Sequence, residues 1–300
     1  MALSRRDFFK TSTILGGTIL GVSKKSFAEE TEQSIADNWG MLNDSTLCIG
    51  CRGCQSACKK EHGLDRVGND PRYDMPTDLN ADNLTLIQLY NKTETEYCFI
   101  RRSCLHCNYP SCVSVCPVAA FTKRDDGVVV YDKDKCIGCR YCQVACPFEA
   151  PTFEYDEAFP VVHKCDFCKD TRLDKGLKPA CASVCPRGAI KFGKRGELLE
   201  EARNRIKDNP ERYNAHIYGE TEIGGTSVMF LAPKNIEFDD LGYHSWGETP
   251  PGEKKKKIQH GIFKYWIPPV ALYGALAILA VSNRKKNNDD NQSEEAGNES

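Results

Sequence analysis

Apolar positions along this 300-residue chain recur in short patterns rather than long runs, and each pattern predicts a different element. Residues 96–104, EYCFIRRSC, alternate apolar and polar positions, the period of a half-buried strand. Residues 121–131 place Asp126-Gly127 between short β-rich runs, the signature of a hairpin. Further on, ELLEEARNRI (197–206) has helical spacing, Gly224-Gly225 reads as a turn and residues 227–231 as a short strand. Two apolar stretches lie near the ends: the mild TSTILGGTILGVS (11–23) and the stronger IFKYWIPPVALYGALAILAV (262–281). At 1.5 Å per residue the second spans roughly 30 Å, one hydrocarbon core. These elements predict an α+β domain with appendages at both ends.

Cysteine changes that picture most. Sixteen of the seventeen cysteines fall into four sets of four: Cys48-Cys51-Cys54-Cys58, Cys104-Cys107-Cys112-Cys116, Cys136-Cys139-Cys142-Cys146 and Cys165-Cys168-Cys181-Cys185. Sets one and three read C-x-x-C-x-x-C-x-x-x-C, in which three thiolates on one loop seize a cubane iron–sulfur cluster and the fourth serves a neighbouring one. Set two widens one gap, and set four inserts KDTRLDKGLKPA before its third cysteine. Pro117, Pro147 and Pro186 follow the last cysteines of sets two, three and four, whereas Lys59 follows set one. A disulfide framework expects an even count in a short domain. Zinc ribbons need no four-cysteine runs closed by Cys-Pro, and no C-x-x-C is followed by the His that covalent haem requires. Cys98, alone in the alternating stretch, reads as a small core residue.

Because the fourth ligand is shared, clusters come in pairs. Sets two and three flank the predicted hairpin and read as one two-cluster ferredoxin, which leaves sets one and four as a second unit into which the first is inserted. The pairing of one with two and three with four stays open on spacing alone.

The ends bear on where the chain works. SRRDFFK (4–10) is a twin-arginine export signal, and Ser26-Phe27-Ala28 ends the leader, so residues 1–28 read as a signal peptide removed on export. A linker (29–43), the four-cluster domain (44–205), an extension (206–257), a transmembrane anchor (258–282) and a disordered acidic tail (283–300) follow. In the anchor, Lys264 can snorkel, Tyr265 and Trp266 suit an aromatic belt, and Pro268-Pro269 would kink the helix. A buried or interfacial helix is the alternative, since the charge-free part from Ile267 is short. Export puts the cysteine domain on the periplasmic side and Arg284-Lys285-Lys286 inside, although Lys254 to Lys257 then lie outside. Those four lysines suit lipid phosphates, an acidic partner, or plain solvation. Without residues 1–28 the chain has 35 basic and 41 acidic residues, and nothing in it points to nucleic acid.

Other motifs fail. Residues 188–194 spell most of a P-loop, but Arg195 stands where Ser or Thr would hold magnesium. His106, inside CLHC, reads as a packing residue or a donor to sulfur. With no dinucleotide fingerprint, nucleophile elbow or zinc-protease motif, the chain reads as a non-catalytic electron carrier.

YDKDKCIGCRYCQVACPFEAP and LDKGLKPACASVCPRGAIKFG, with the expanded fourth set, resemble the four-cluster iron–sulfur subunits of molybdopterin oxidoreductases and membrane hydrogenases. The export signal, MLNDSTLCIGC, CLHCNYPSCVSVCPVAAF, IYGETEIGGTSV and the C-terminal anchor make it most similar to the hydrogenase branch. The resemblance implies four [4Fe-4S] clusters held by Cys48, Cys51, Cys54 and Cys185; by Cys165, Cys168, Cys181 and Cys58; by Cys104, Cys107, Cys112 and Cys146; and by Cys136, Cys139, Cys142 and Cys116. It implies as partners the catalytic and small subunits of a hydrogenase, or a molybdopterin subunit, and an integral membrane subunit that reacts with quinone. Lys59 and Cys98 depart from the pattern.

Overall fold

A computed structural model of the chain describes residues 32–64, 76–155, 160–251 and 273–282. The predicted signal peptide and acidic tail lie outside these residues, as does most of the predicted anchor.

The fold is a mixture of short helices and strands. Its centre is a strand where a linker is expected: residues 29–43 supply helix α1 (Glu32–Ala36) and most of β1 (Trp39–Asp44). β1 is the middle strand of a three-stranded sheet, antiparallel to β8 (Ile190–Lys194) and parallel to β9 (Val228–Leu231). Side chains on a strand alternate between faces, and here the two faces feed different cores. Met41, Val228 and Phe230 join the large core that holds the cysteines. Leu42, Met229 and Leu231 face the other way, onto Leu198, Leu199 and Ala202 of a helix at Arg195–Asp208. Both faces are covered, so the middle of β1 is apolar, and Met41 and Leu42 are buried almost completely. Where the strand ends, the buried Asp44 accepts from Arg205 Nη1 of that helix at 2.6 Å, from the Tyr213 hydroxyl at 2.9 Å and from the Thr46 hydroxyl at 2.6 Å.

The expected domain limit at residue 205 therefore cuts through a hydrogen-bonded unit. β9, from the segment read as an extension, completes the sheet, and Tyr243 beyond it donates to the Arg101 carbonyl at 2.6 Å. The expected turn is present at Gly224 and Gly225, both at φ 84°.

The remaining strands form three antiparallel hairpins: β2 (Thr85–Asn91) with β3 (Tyr97–Ser103), β4 (Phe121–Lys123) with β5 (Val129–Tyr131), and β6 (Thr152–Phe153) with β7 (Val162–His163). The β4–β5 turn is the one foreseen at Asp126-Gly127. Gly127 has φ 86°, and a Cβ there would come within 2.5 Å of the Asn38 side chain. Four helices carry the third cysteine of each set, and the first of them the fourth as well: α2 (Gly53–Glu61), α3 (Ser111–Ser114), α4 (Tyr141–Val144) and α5 (Ala180–Ser183). The Arg195–Asp208 helix, foreseen from ELLEEARNRI, is α6. Residues 273–282 are helical and exposed, including Tyr273, Ile278 and Val281. Among the described residues no helix is long and apolar enough to cross a membrane.

Candidate metal centres

Four cysteine loops share one backbone shape. Two places after the first cysteine of each set stands a residue with positive φ: Gly50 (68°), His106 (47°), Gly138 (70°) and Phe167 (59°). This left-handed step turns the chain back on itself, so backbone amides face the sulfurs. Gly138 N–H donates to Cys136 Sγ at 3.4 Å, and Gly50 N–H serves Cys48 in the same way. A second left-handed residue follows three places after the closing cysteine in sets two to four, at Ala119, Glu149 and Gly188. Ala120 N–H then donates to Cys116 Sγ at 3.2 Å. Set one ends differently because Lys59 replaces proline. An amide N–H is kept there, and α2 runs through Cys58 to Glu61 without a break.

None of the seventeen cysteines forms a disulfide, and the structure regroups sixteen of them across the sets. Burial raises Cys58, and the next causes are Cys165, Cys181 and Cys168, not the other members of its own set. Cys185 acts on Cys48 and on Cys54, and lines one cavity with Cys48, Cys51 and Cys54. Cys146 joins Cys104 and Cys112 around Cys107, while Cys116 joins Cys136 and Cys139 around Cys142. Each tetrad thus takes its fourth member from another set. The tetrads also touch one another electrostatically in a line: Cys54 with Cys181, Cys165 with Cys104, and Cys112 with Cys142. Cys51 and Cys139, at opposite ends of that line, are exposed.

Polar groups occupy the junctions. Arg101, on β3, is buried; its Nη1 donates to Met41 Sδ at 3.2 Å and its Nη2 to Cys181 Sγ at 3.8 Å. Burial opposes its charge, yet Cys181, Cys165, Cys54 and Cys58 together hold its pKa above the ordinary arginine value. Lys164, also buried, donates to the carbonyls of Val129 at 2.5 Å and Cys165 at 2.9 Å. His106 and Phe167, the left-handed residues of sets two and four, stack with centroids 3.8 Å apart, so the loops of the two middle tetrads meet ring to ring. Among the described residues no cysteine sulfur accepts from His106, and its buried Nε2 has no protein partner. Its Nδ1 accepts from Val129 N–H at 3.1 Å, and burial, then Lys164, push its pKa well down.

Comparison with known proteins places this arrangement. Residues 95–195 match the model of a 4Fe-4S dicluster domain. The chain is 36% identical to the hydrogenase-2 operon protein HybA of Escherichia coli O157:H7, over 96% of this chain and 98% of that protein. The chain belongs to the HybA-type iron–sulfur electron-transfer subunits. In the same family it is 33% identical to the formate dehydrogenase-O iron–sulfur subunit of Escherichia coli K12, over 94% of this chain and 91% of that subunit.

The donor set fits the 4Fe-4S clusters of this family. Burial pushes Cys54 and Cys168 up to about 12, and Cys142 and Cys146 up to about 11, so bare tetrads resist ionising. Bound iron would supply the positive charge that lets four thiolates lie together, which would tie metal binding to folding. Cys98 belongs to none of the tetrads. It is buried in the core on β3 and does not line the Cys48–Cys185 cavity, although after burial the charge of Cys48 also helps push its pKa up to about 11. Arg101, Lys164 and the His106–Phe167 stack are invisible to motif reading. The available signals are a charged residue inside an alternating strand and the common offset of His106 and Phe167 from their first cysteines.

Proposed function

We propose that the sixteen cysteines hold four [4Fe-4S] clusters, paired as two nested ferredoxin units, and that the chain relays electrons between a catalytic subunit and a quinone-reactive membrane protein. The carrying observation is the line of tetrads in which each takes its fourth cysteine from another set. Each cluster, when bound, accepts and releases one electron at a time. The protein supplies thiolates, backbone N–H groups aimed at sulfur and exclusion of water, which together set potentials. Entry and exit then lie at the two exposed ends. Near Cys139 in the chain are Ile137, Tyr141 and Val144, which are 64%, 62% and 87% exposed, and near Cys51 is the exposed Ile49. Exposed apolar residues of this kind suit partner subunits.

The catalytic partner we propose is a nickel–iron hydrogenase with its small subunit, a reading supported by similarity to HybA over nearly the whole chain. A formate-oxidising molybdopterin subunit is the second reading, supported by similarity to the formate dehydrogenase iron–sulfur subunits. We place the chain on the periplasmic face of the cytoplasmic membrane, exported through SRRDFFK and held by the apolar segment at 258–282. The exposed apolar helix at 273–282 supports that anchor.

Cys139→Ser tests the relay in the assembled complex. Electron transfer to quinone is expected to stop, while hydrogen oxidation with an artificial dye persists. Full quinone activity in that variant refutes the relay. Formate-driven but not hydrogen-driven quinone reduction by the wild-type complex selects the second partner.

A further inference from the structure

Arg101 is a buried cation whose only hydrogen-bond acceptors among the described residues are two sulfurs. Its Nε has no hydrogen-bond partner among them, and none of their carboxylates forms an ion pair with it. A thioether such as Met41 is a weak acceptor. Taking a guanidinium out of water without a counter-charge costs several kcal/mol, so a fold that retains one must bring an anion to it. The candidates are the tetrads. Arg101 lines the cavity of Cys48, Cys51, Cys54 and Cys185, and reaches Cys181 of the next tetrad. It stands between two adjoining sites and belongs to neither loop. Lys164 differs, because two backbone carbonyls already satisfy it.

Resting on the four-cluster reading, we propose that Arg101 is the shared counter-ion of the clusters at Cys48/Cys51/Cys54/Cys185 and Cys58/Cys165/Cys168/Cys181, and that its charge raises the reduction potentials of these two. A thiolate-held cluster gains one negative charge when reduced, so a fixed cation in a dry interior favours the reduced form. Because guanidinium does not lose its proton in proteins, the effect is independent of pH. It also weakens repulsion between the two clusters when both are reduced.

The test is a redox titration followed by electron paramagnetic resonance on the purified, iron-loaded full chain in its complex, comparing wild type, Arg101→Gln and Arg101→Lys. In Arg101→Gln, the equilibrium constant for reduction is expected to fall at least about tenfold, 59 mV for a one-electron couple, at one or both of two clusters, with the remaining two within about threefold. Arg101→Lys is expected to restore most of the shift, which a merely structural role would not produce. Four loaded clusters with wild-type potentials in Arg101→Gln overturn the proposal and leave the relay intact. If Arg101→Gln does not load, Arg101→Lys decides. Loading with all four potentials near wild type supports the charge, whereas failure to load or a uniform shift of all four overturns it. Wild-type protein without cluster iron or its visible charge-transfer band would instead refute the four-cluster reading.

Discussion

Gly50 and Gly138 occupy the same place in two cysteine loops, yet alanine is expected to be tolerated at one and not at the other. Both have φ near +70°, where an L side chain costs about 1–2 kcal/mol. At Gly138 that is nearly all, since an added Cβ would meet only Phe153 Cζ, at 3.7 Å. At Gly50 the same Cβ would stand 2.4, 2.5 and 2.6 Å from three atoms of the Phe99 ring. Phe99 is held on β3, paired with β2 opposite Leu89, and its ring meets Tyr97 edge to face. Displacing it adds an overpacking cost of about 1–3 kcal/mol. Gly138→Ala should therefore cost about 1–2 kcal/mol and Gly50→Ala about 2–5. The assay is anaerobic denaturant unfolding of the iron-loaded chain, with iron counted and the charge-transfer absorption followed under a chelator. Gly50→Ala should lose roughly a quarter of its iron first, the share of one cluster in four. Adding Phe99→Ala to Gly50→Ala should recover the overpacking part, a coupling of about 1–3 kcal/mol. Equal costs at the two glycines, or no recovery from Phe99→Ala, would refute the reasoning.

Three further outcomes are expected. Cys98→Ser should leave iron content and visible absorption unchanged while lowering stability by about 1–3 kcal/mol, the cost of a buried hydroxyl; a loss of iron would make Cys98 a ligand. Lys59→Pro should break α2 in its second turn, costing about 3 kcal/mol and releasing iron, and a stable, fully loaded variant would contradict the account of set one. Asp44→Asn should cost about 1.5–3 kcal/mol in denaturant unfolding, because Arg205 and Tyr213 lose a charged acceptor; a change below about 0.5 kcal/mol would mean that Glu201 fully substitutes for it.

What the sequence discloses and what it hides follow from the range of the interactions. Cysteine spacing is local: three thiols on one loop must converge, so the loops were legible, as were the Asp126-Gly127 hairpin, α6 and the 227–231 strand. The centre of the sheet was not. β1 pairs with partners far along the chain, and a strand buried on both faces shows no alternation to betray it, so WGMLND read as the end of a linker. The pairing of β1 with β9, which crosses the expected division at residue 205, was hidden for the same reason. Arg101 escaped because arginine in an alternating strand reads as an outward residue, and here the other face looks onto sulfur rather than water. The regrouping of Cys58 with Cys185's neighbours exchanged was implied by resemblance, whereas spacing alone allowed two pairings.

The central strand has a consequence for how the chain is made. β1 leaves the ribosome early, but its partners at Ile190–Lys194 and Val228–Leu231 emerge only after all four cysteine sets. Such distant pairing closes slowly, because the entropy of bringing remote segments together is lost before any contact rewards it. The hairpin between sets two and three, by contrast, can close as soon as it is synthesised. Maturation should then proceed from the inside outward, with the inserted sets ordered first and the outer wall closed last. A translocation route that accepts only finished proteins would be reading, in effect, whether Val228–Leu231 has docked.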